Sequence, residues 1–570
     1  MDSTTIILGI LLMGIVTVVG GVLLLRLHAF LALVLGALLV GTLTPASYIE
    51  KAAVKKVSFS IASSEGTTDP ENSIRFQYSG AEAAKPGQQF WILRTDTESG
   101  FLSEIASAQF LYATQTDDQW FAVARLVSGE QAAETQSAVT LSKTDIIIDN
   151  QAAWKNATKL ANKTVGERVS DAFGTTCGKI GILIAMASII GKCLLDSGSA
   201  DRIVRSSMKV MGEKRAPTAF MGSAFLLGIP VFFDTVFYLM IPLAKALRMR
   251  TGKNYLFYVL AIVAGGSMAH SLVPPTPGPL FVAEQLGVDI GLMMLVGCVI
   301  GVFTAGSGYL YARFINNIWE LPLRESAEFS LADLEELSQK DESELPGLWI
   351  SLIPIILPVA LIGGYTVIKS LDLNLPESVM NLAATLGNKN IALVISAAIA
   401  MGTLVKQKKT HIKELGESIQ AALANGGVII LITAAGGAFG GVLQQTGVAG
   451  LINDLPQTSP LLIVLLAWLI TMAIRTAQGS ATVAMITSVG ILSGLASSGQ
   501  LGFHPVYLAI AIGCGSKPIA WMNDSGFWVI SKMSGMTERE ALKFITPMSI
   551  IMGLVGLVTT MIAVTVFPMN

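Results

Sequence analysis

Residues 265–279 read Gly-Gly-Ser-Met-Ala-His-Ser-Leu-Val-Pro-Pro-Thr-Pro-Gly-Pro, and they sit inside an apolar run long enough to cross a membrane. Four prolines and three glycines in one such run remove backbone donors and break helical pairing midway through the bilayer. Lipid offers no partner to a freed amide or carbonyl, so non-helical backbone at that depth must be buried in protein or line a wet cavity. Interrupted helices of this kind are where secondary transporters hold substrate and coupling ion. The stretch therefore points to a solute carrier.

The rest of the chain agrees with a membrane setting. Only 14% of residues are charged and the mean hydropathy is +0.61, outside the range of soluble domains. A formal net charge of −2 provides no field to attract nucleic acid. Cys177, Cys193, Cys298 and Cys514 lie in or beside apolar segments without zinc-type spacing, so neither a metal, a cofactor nor a disulfide framework is expected. The first apolar run lacks a basic leader and a cleavage site, and reads as a retained first span. Candidate spans are 6–25, 29–47, 177–196, 255–276, 290–311, 348–369, 389–405, 425–443, 504–522 and 544–567.

Two further apolar stretches differ. Residues 218–244, broken by Gly228 and Pro230 and flanked by basic residues on both sides, are too long for one helix and too short for two spans. They read as a re-entrant hairpin from the cytoplasmic side. Residues 460–497 carry Arg475 near their middle and read as a hairpin from outside, with two complete spans as the alternative. In this layout cytoplasmic loops hold 20 Lys and Arg, short outer loops hold Lys369 and Lys389, and both termini lie outside.

Residues 51–165 are a different kind of sequence. Val57–Ile61, Ile74–Tyr78, Phe90–Leu93, Phe110–Tyr112, Trp120–Val127 and Ala138–Leu141 read as short strands, followed by an amphipathic helix over about 151–175. A small extracytoplasmic β-rich domain, inserted between the second and third spans, is expected. The membrane part reads as 1–50 and 166–320 for one half, a cytoplasmic linker 321–347, and 348–570 for the other.

A shift of 249 residues relates the halves. It lays Gly191–Ile203 on Gly440–Ile452 with five of thirteen identities, and brings the two hairpins into register. It also puts Gly266-Ser267 on Gly515-Ser516 and Pro274-Pro275 on Asn523-Asp524. The fold class expected is an all-α polytopic membrane protein of two inverted-topology repeats. Each repeat has about five transmembrane helices and one re-entrant hairpin.

Ionisable residues inside spans are costly and point to function. Asp234, just after the first hairpin's break, either binds a substrate hydroxyl or carries a proton, or else caps the following helix. His270, next to the prolines, is placed to titrate or touch substrate. Gly479, Ser480 and Thr482 resemble an anion cradle opening a helix. Arg475 pairs a substrate carboxylate, neutralises Asp234 or Asp524, or sits at a loop. Asn523, Asp524 and Ser525 can hold several hydroxyls or an ion, while Lys517 reads as a snorkelling residue. Phe233, Ser271, Pro275, Thr276, Gln478 and Ser516 complete the candidate substrate-binding set. Asp234, His270 and Asp524 form the candidate proton-coupling set.

Gly228–Asp234, His270–Pro279, Arg475–Ala484 and Asn523–Trp528, in that order, resemble the motifs of the gluconate permease (GntP) family, proton-coupled sugar-acid importers of the ion transporter superfamily. The likeness covers about 1–50 and 170–570. Thr276 stands where the family pattern usually has histidine, and the insertion 51–165 is not typical. The resemblance implies elevator-like proton symport of a gluconate-like monocarboxylate across the bacterial inner membrane by a homodimer. The alternatives are a Na⁺-coupled carboxylate or D-serine carrier of the same fold, and a membrane sensor with a ligand-binding outer domain. No nucleophile–base pair supports an enzyme.

Overall fold

The structure is a computed structural model. It describes residues 3–23, 25, 27–55, 57–59, 73–78, 85–116, 119–128, 141–142, 145–324, 345–371, 376–408, 412–447, 459–497 and 501–569. Contacts divide the chain into two compact units. One holds Met1–Gly14, Ala37–Ser170 and Gly441–Asp454, and the other Ile15–Gly36, Asp171–Gly440 and Leu455–Asn570.

The chain begins with α1 (Ser3–Leu23) and α2 (Ala29–Leu43), and α3 (Ala46–Lys55) follows after a bend of 99°. The bend falls at Pro45, which has no N–H to continue α2. The expected straight span over 29–47 therefore stops early.

Strands β1 (Ser73–Gln77), β2 (Gln89–Thr95), β3 (Leu102–Thr116), β4 (Gln119–Ser128) and β5 (Ile146–Ile148) form one antiparallel sheet in the order β1-β4-β3-β2-β5. Alternation sorts β2 between two faces. Phe90 and Ile92 join Phe76, Tyr78 and Ile147 on one side, while Trp91 and Leu93 join Leu102 and Ile148 on the other. Phe76 and Phe90 meet edge to face at 4.9 Å. Two strand expectations changed. Phe59 makes only an isolated bridge to Ile147, and Ile146–Ile148 is a strand that its short, unalternating run did not announce. Expected strand residues 60–61 and 138–140 lie outside the described residues, as does most of the linker 321–347.

Helix α4 (Gln151–Ala161) packs on α3, and the buried Glu50 carboxylate fastens the arrangement. It accepts from Leu102 N–H at 2.8 Å, Trp154 Nε1 at 3.2 Å and Thr158 Oγ1 at 2.6 Å. The amphipathic helix expected over 151–175 is split. Thr164 and Glu167 cap α5 (Val165–Asp196) reciprocally, with Thr164 N–H on Glu167 Oε2 at 2.8 Å. This Thr-x-x-Glu signal is present in the sequence, and it starts a helix that runs through the third expected span.

The helices of the other unit are α6 (Ser199–Met211), α7 (Ala216–Leu227), α8 (Phe233–Thr251), α9 (Tyr255–Leu272), α10 (Pro277–Gln285), α11 (Ile290–Ile318), α12 (Leu348–Ser370), α13 (Glu377–Leu386) and α14 (Lys389–Lys408). They continue with most of α15 (Ile412–Gln444), then α16 (Pro460–Gln478), α17 (Ala481–Ser497), α18 (Pro505–Gly515), α19 (Ser525–Ser534) and α20 (Glu538–Val566). Among the described residues, eight helices or broken helices are long and apolar enough to cross a membrane, or nine if α2 and α3 count as one span.

Element boundaries recur along the chain. Val165–Asp196 and Ile290–Ile318 correspond to Ile412–Gln444 and Glu538–Val566 within two residues of the 249-residue shift. Gly198 and Gly447 both follow a long helix with φ of +76° and +82°. The residues before them, Ser197 and Thr446, each bond back to the carbonyl three positions earlier. The last five positions of the aligned Gly440–Ile452 lie outside the described residues.

Removing the Glu50 carboxylate should loosen the sheet unit. Glu50→Ala leaves the Leu102 N–H and Trp154 Nε1 donors unpaired, each costing about 1–3 kcal/mol when buried, while Thr158 keeps its bond to Trp154 O. Limited proteolysis of the full chain in detergent should then cut within 51–165 faster than in the wild type. Glu98→Ala, at an exposed turn, should not change the rate; equal rates for the two variants would remove Glu50 as the tie.

Candidate functional site

Four helices are interrupted, and their interruptions are neighbours. α7 and α8 are separated at 228–232, α9 and α10 at 273–276, α16 and α17 at Gly479-Ser480, and α18 and α19 at 516–524. The end of α9 is gripped closely. A Cβ on Gly513 would stand 2.7 Å from Ser271 O, and one on Gly297 would stand 2.2 Å from Leu272 O. This crossing sets the proline-rich interruption beside the one that ends α18. α10 in turn packs on α17, where a Cβ on Gly278 would meet Met485 Cε at 2.1 Å.

The unwound backbone is satisfied by side chains. Thr476 O, at the end of α16, accepts from Asn523 Nδ2 at 2.8 Å and Trp521 Nε1 at 3.0 Å; Ala477 O accepts from Asn523 Nδ2 at 3.2 Å. Ala520 is held through both backbone groups, by Ser549 Oγ at 3.1 Å and Thr546 Oγ1 at 2.6 Å. Arg475, 3% exposed, joins the two interruptions of the second half. It donates from Nε to Ser516 O at 3.1 Å, and its terminal nitrogens bond Gly479 O and the Asp524 carboxylate. Gly479 has φ +86°, and a Cβ there would fall 2.1 Å from Asn523 O. Only glycine fits.

These elements enclose a cavity of about 540 Å³. Three helices begin at its wall, through Phe233-Asp234-Thr235, Ala481-Thr482 and Ser525-Gly526. Helix N-termini carry partial positive charge and free N–H groups, so their convergence favours an anion. Ser480 Oγ accepts from Val483 N–H at 3.3 Å, and Asp524 caps α19 through Gly526 N–H at 2.9 Å. α8 has no side-chain cap.

Asp234 and Asp524 face each other across Gly526, with carboxylate oxygens 3.7 and 3.4 Å from the point where a Gly526 side chain would start. Asp524 is paired with Arg475. Asp234 and Lys517 make no hydrogen bond or ion pair among the described residues. His270 Nδ1 and Ser267 Oγ are buried without partners among the described residues, and the His270 ring meets Phe232 edge-on at 6.1 Å. Phe232, Phe233, Val263, Ile530, Ile545 and Met552 are among the residues of the apolar part of the wall. The cavity thus combines apolar faces, hydroxyls and a few uncompensated charges, the composition of a polar small-molecule site.

Residues 154–566 match the model of the GntP family permeases. The chain belongs to the GntP permease family. It is 33% identical over 393 residues to a gluconate permease of Pseudomonas aeruginosa, covering 68% of this chain and 85% of that one. A low-affinity gluconate transporter of Escherichia coli K12 is 30% identical over 396 residues, covering 68% and 86%. The YdaH transporter of Alcanivorax borkumensis superposes with a TM-score of 0.50 at 14% identity over 76% of this chain and 94% of that one. For MtrF of Neisseria gonorrhoeae the score is 0.52 at 14% identity, over 71% and 85%. At that identity the likeness concerns the fold. The protein is a multi-pass inner-membrane permease and not an enzyme. Its sheet, over 73–148, lies outside the family match.

Eight of the permease's fifteen candidate residues line the cavity: Phe233, Asp234, His270, Arg475, Ser480, Thr482, Asp524 and Ser525. Gly479, Ser516 and Asn523 stand behind it, shaping backbone. Ser516 donates its hydroxyl to Gly513 O at 2.7 Å. Thr276 is buried and bonds Val273 O at 2.6 Å, and Pro275 lines a separate small apolar pocket with Leu280 and Met294. Ser271 Oγ and both amide atoms of Gln478 are buried without partners among the described residues, and neither residue lines the cavity. Asn425 and Ser549 line the cavity but escaped sequence reading, because each is a lone polar residue on a helix without motif context; Ser267, inside the 265–279 motif, also lines it and was not among the candidates. Lys517 does not snorkel. It is 8% exposed and lines the cavity.

Gly479→Ala should lower both the melting temperature and uptake, the latter by roughly tenfold or more, which corresponds to about 1.4 kcal/mol. Gly222→Ala, in helical backbone with open space around it, should leave both near wild type. Equal behaviour of the two variants, by thermal shift and proteoliposome uptake, would count against the close approach at Gly479.

Proposed function

We propose that the permease imports a gluconate-like sugar acid together with a proton. One observation carries this reading: three helix N-termini, two carboxylates and two cations meet on a single cavity with an apolar wall. A volume of about 540 Å³ lies in the usual range of roughly 300–1,000 Å³ for small-molecule sites. Ser480, Thr482, Ser525 and Asn425 offer hydroxyl and amide partners for a polyol chain. Uncapped α8 offers N–H groups to a carboxylate.

Asp234 is the proton site in this reading. It has no counter-ion of its own, so gaining or losing a proton there changes the charge of the cavity directly. Asp524 is committed to Arg475, and the unpartnered His270 serves the substrate or relays the proton. Lys517 is the remaining titratable group on the wall. The recurrence of element boundaries supports two inverted copies moving as in an elevator, with α7–α8 and α16–α17 closing opposite ends of the site. The charge asymmetry of the loops supports an extracytoplasmic position for 51–165 and an accessory role for that insertion.

Uptake of labelled gluconate into proteoliposomes tests the reading. Accumulation should follow an inward proton gradient and ignore a sodium gradient. Asp234→Asn should abolish gradient-driven accumulation while sparing exchange of labelled for unlabelled substrate. Accumulation driven by sodium, or indifferent to both gradients, would overturn proton symport.

A further inference from the structure

The cavity is lined by four charged side chains: Asp234, Arg475, Lys517 and Asp524. Arg475 carries a guanidinium suited to a carboxylate, but its three nitrogens already serve Ser516 O, Gly479 O and Asp524. Turning it wholly toward substrate would undo the link between the two interruptions and leave Asp524 uncompensated. Lys517 differs. It stands on unwound backbone just before Pro518, is 8% exposed, and its ammonium meets no acceptor among the described residues.

We infer that Lys517, rather than Arg475, is the counter-charge for the substrate's carboxylate, and that the cavity consequently takes one carboxylate and rejects a second. The inference rests on the cavity being the substrate site. A buried cation without a partner is a large electrostatic debt in a low-dielectric setting, and a ligand carboxylate cancels it. Counting Lys517 as an ammonium, Arg475 and Asp524 as cancelling each other and Asp234 as protonated, the empty cavity carries one positive charge. A monoanion brings it to zero. A dianion leaves one negative charge enclosed by apolar walls and facing two aspartates. A neutral polyol leaves Lys517 unpaired. Arg475 is then a positioning residue, holding Gly479 and Ser516 in place without touching the ligand.

Ligand-induced stabilisation of the purified full chain separates these roles. The probes are matched acid and alcohol pairs, gluconate with glucitol and glycerate with glycerol, together with glucarate as the dicarboxylate. In the wild type the best acid should outbind its alcohol by roughly tenfold or more, and gluconate should outbind glucarate. Lys517→Gln, and Lys517→Met as a second variant that keeps most of the stem, should erase the acid preference without weakening the alcohol. Lys517→Arg should restore part of it. Arg475→Lys should lower the melting temperature without ligand and keep the acid-to-alcohol ratio.

A preserved ratio in both uncharged Lys517 variants overturns the inference. So does a ratio lost in Arg475→Lys but kept in Lys517→Gln, and so does a wild type in which no acid outbinds its alcohol. If glycerate shows the Lys517-dependent preference while gluconate does not bind, Lys517 keeps its role and the sugar-acid substrate falls.

Discussion

Arg475 ties together the two interruptions at Gly479-Ser480 and 516–524. A helix that stops inside a bilayer exposes carbonyls with no water to receive them, and each must find a donor within the protein. One guanidinium meets Gly479 O on one broken element, Ser516 O on another, and the Asp524 side chain that begins α19. Its planar fork suits three acceptors in fixed directions, which a lysine ammonium could match only in charge. The pairing with Asp524 neutralises the cation, so the bracket does not spend the cavity's electrostatics on itself. Asn523 completes the work by donating to Thr476 O and Ala477 O at the end of α16.

The two halves solve the same problem differently. In the first, the interruption between α9 and α10 is four residues long, and its prolines need no hydrogen-bond acceptors for their nitrogens. Thr276 closes it locally by bonding Val273 O. In the second, nine residues separate α18 from α19, with many polar side chains reaching across to neighbouring helices. A short, proline-built interruption is stiff and offers little chemistry. A long one, braced by Arg475, Asn523, Thr546 and Ser549, can present Lys517 and Asp524 to a ligand. Most charge in the cavity accordingly comes from the second half, with Asp234 as the first half's contribution.

Much of this was legible in the residues because each feature has a strong local cause. Prolines 274, 275, 277 and 279 cannot sit in an unbroken helix, and Gly479 between two apolar runs marks a turn. A shift that aligns helix ends at 318 and 566 could be found from a handful of glycines. Side-chain partnership was harder to read. Whether Arg475 faces a ligand or its own backbone depends on where Ser516 O lies, 41 residues on, and no periodicity encodes that. Lys517 was misjudged for the same reason: snorkelling presumes a nearby interface, and its burial is set by how α18 ends. Ile146–Ile148 escaped because three isoleucines have no alternation to distinguish strand from helix.

If Lys517 is the ligand's counter-charge, as proposed, its separation from the Arg475 bracket bears on the proposed alternating access. If one arginine both sealed the interruption and bound substrate, every release would loosen the second half's framework. With Arg475 bonded to three protein acceptors, a substrate held by Lys517, as proposed, can leave while the interruptions keep their shape. The unpaired charges that remain, Lys517 and Asp234, have opposite sign and one cavity, and a monoanion and a proton satisfy them together. Either alone leaves a net charge enclosed among apolar side chains, where moving it between sides of a membrane is costly. In the proposed reading coupling needs no separate device, because only the fully loaded and fully empty cavities have a charge balance that the surrounding helices tolerate.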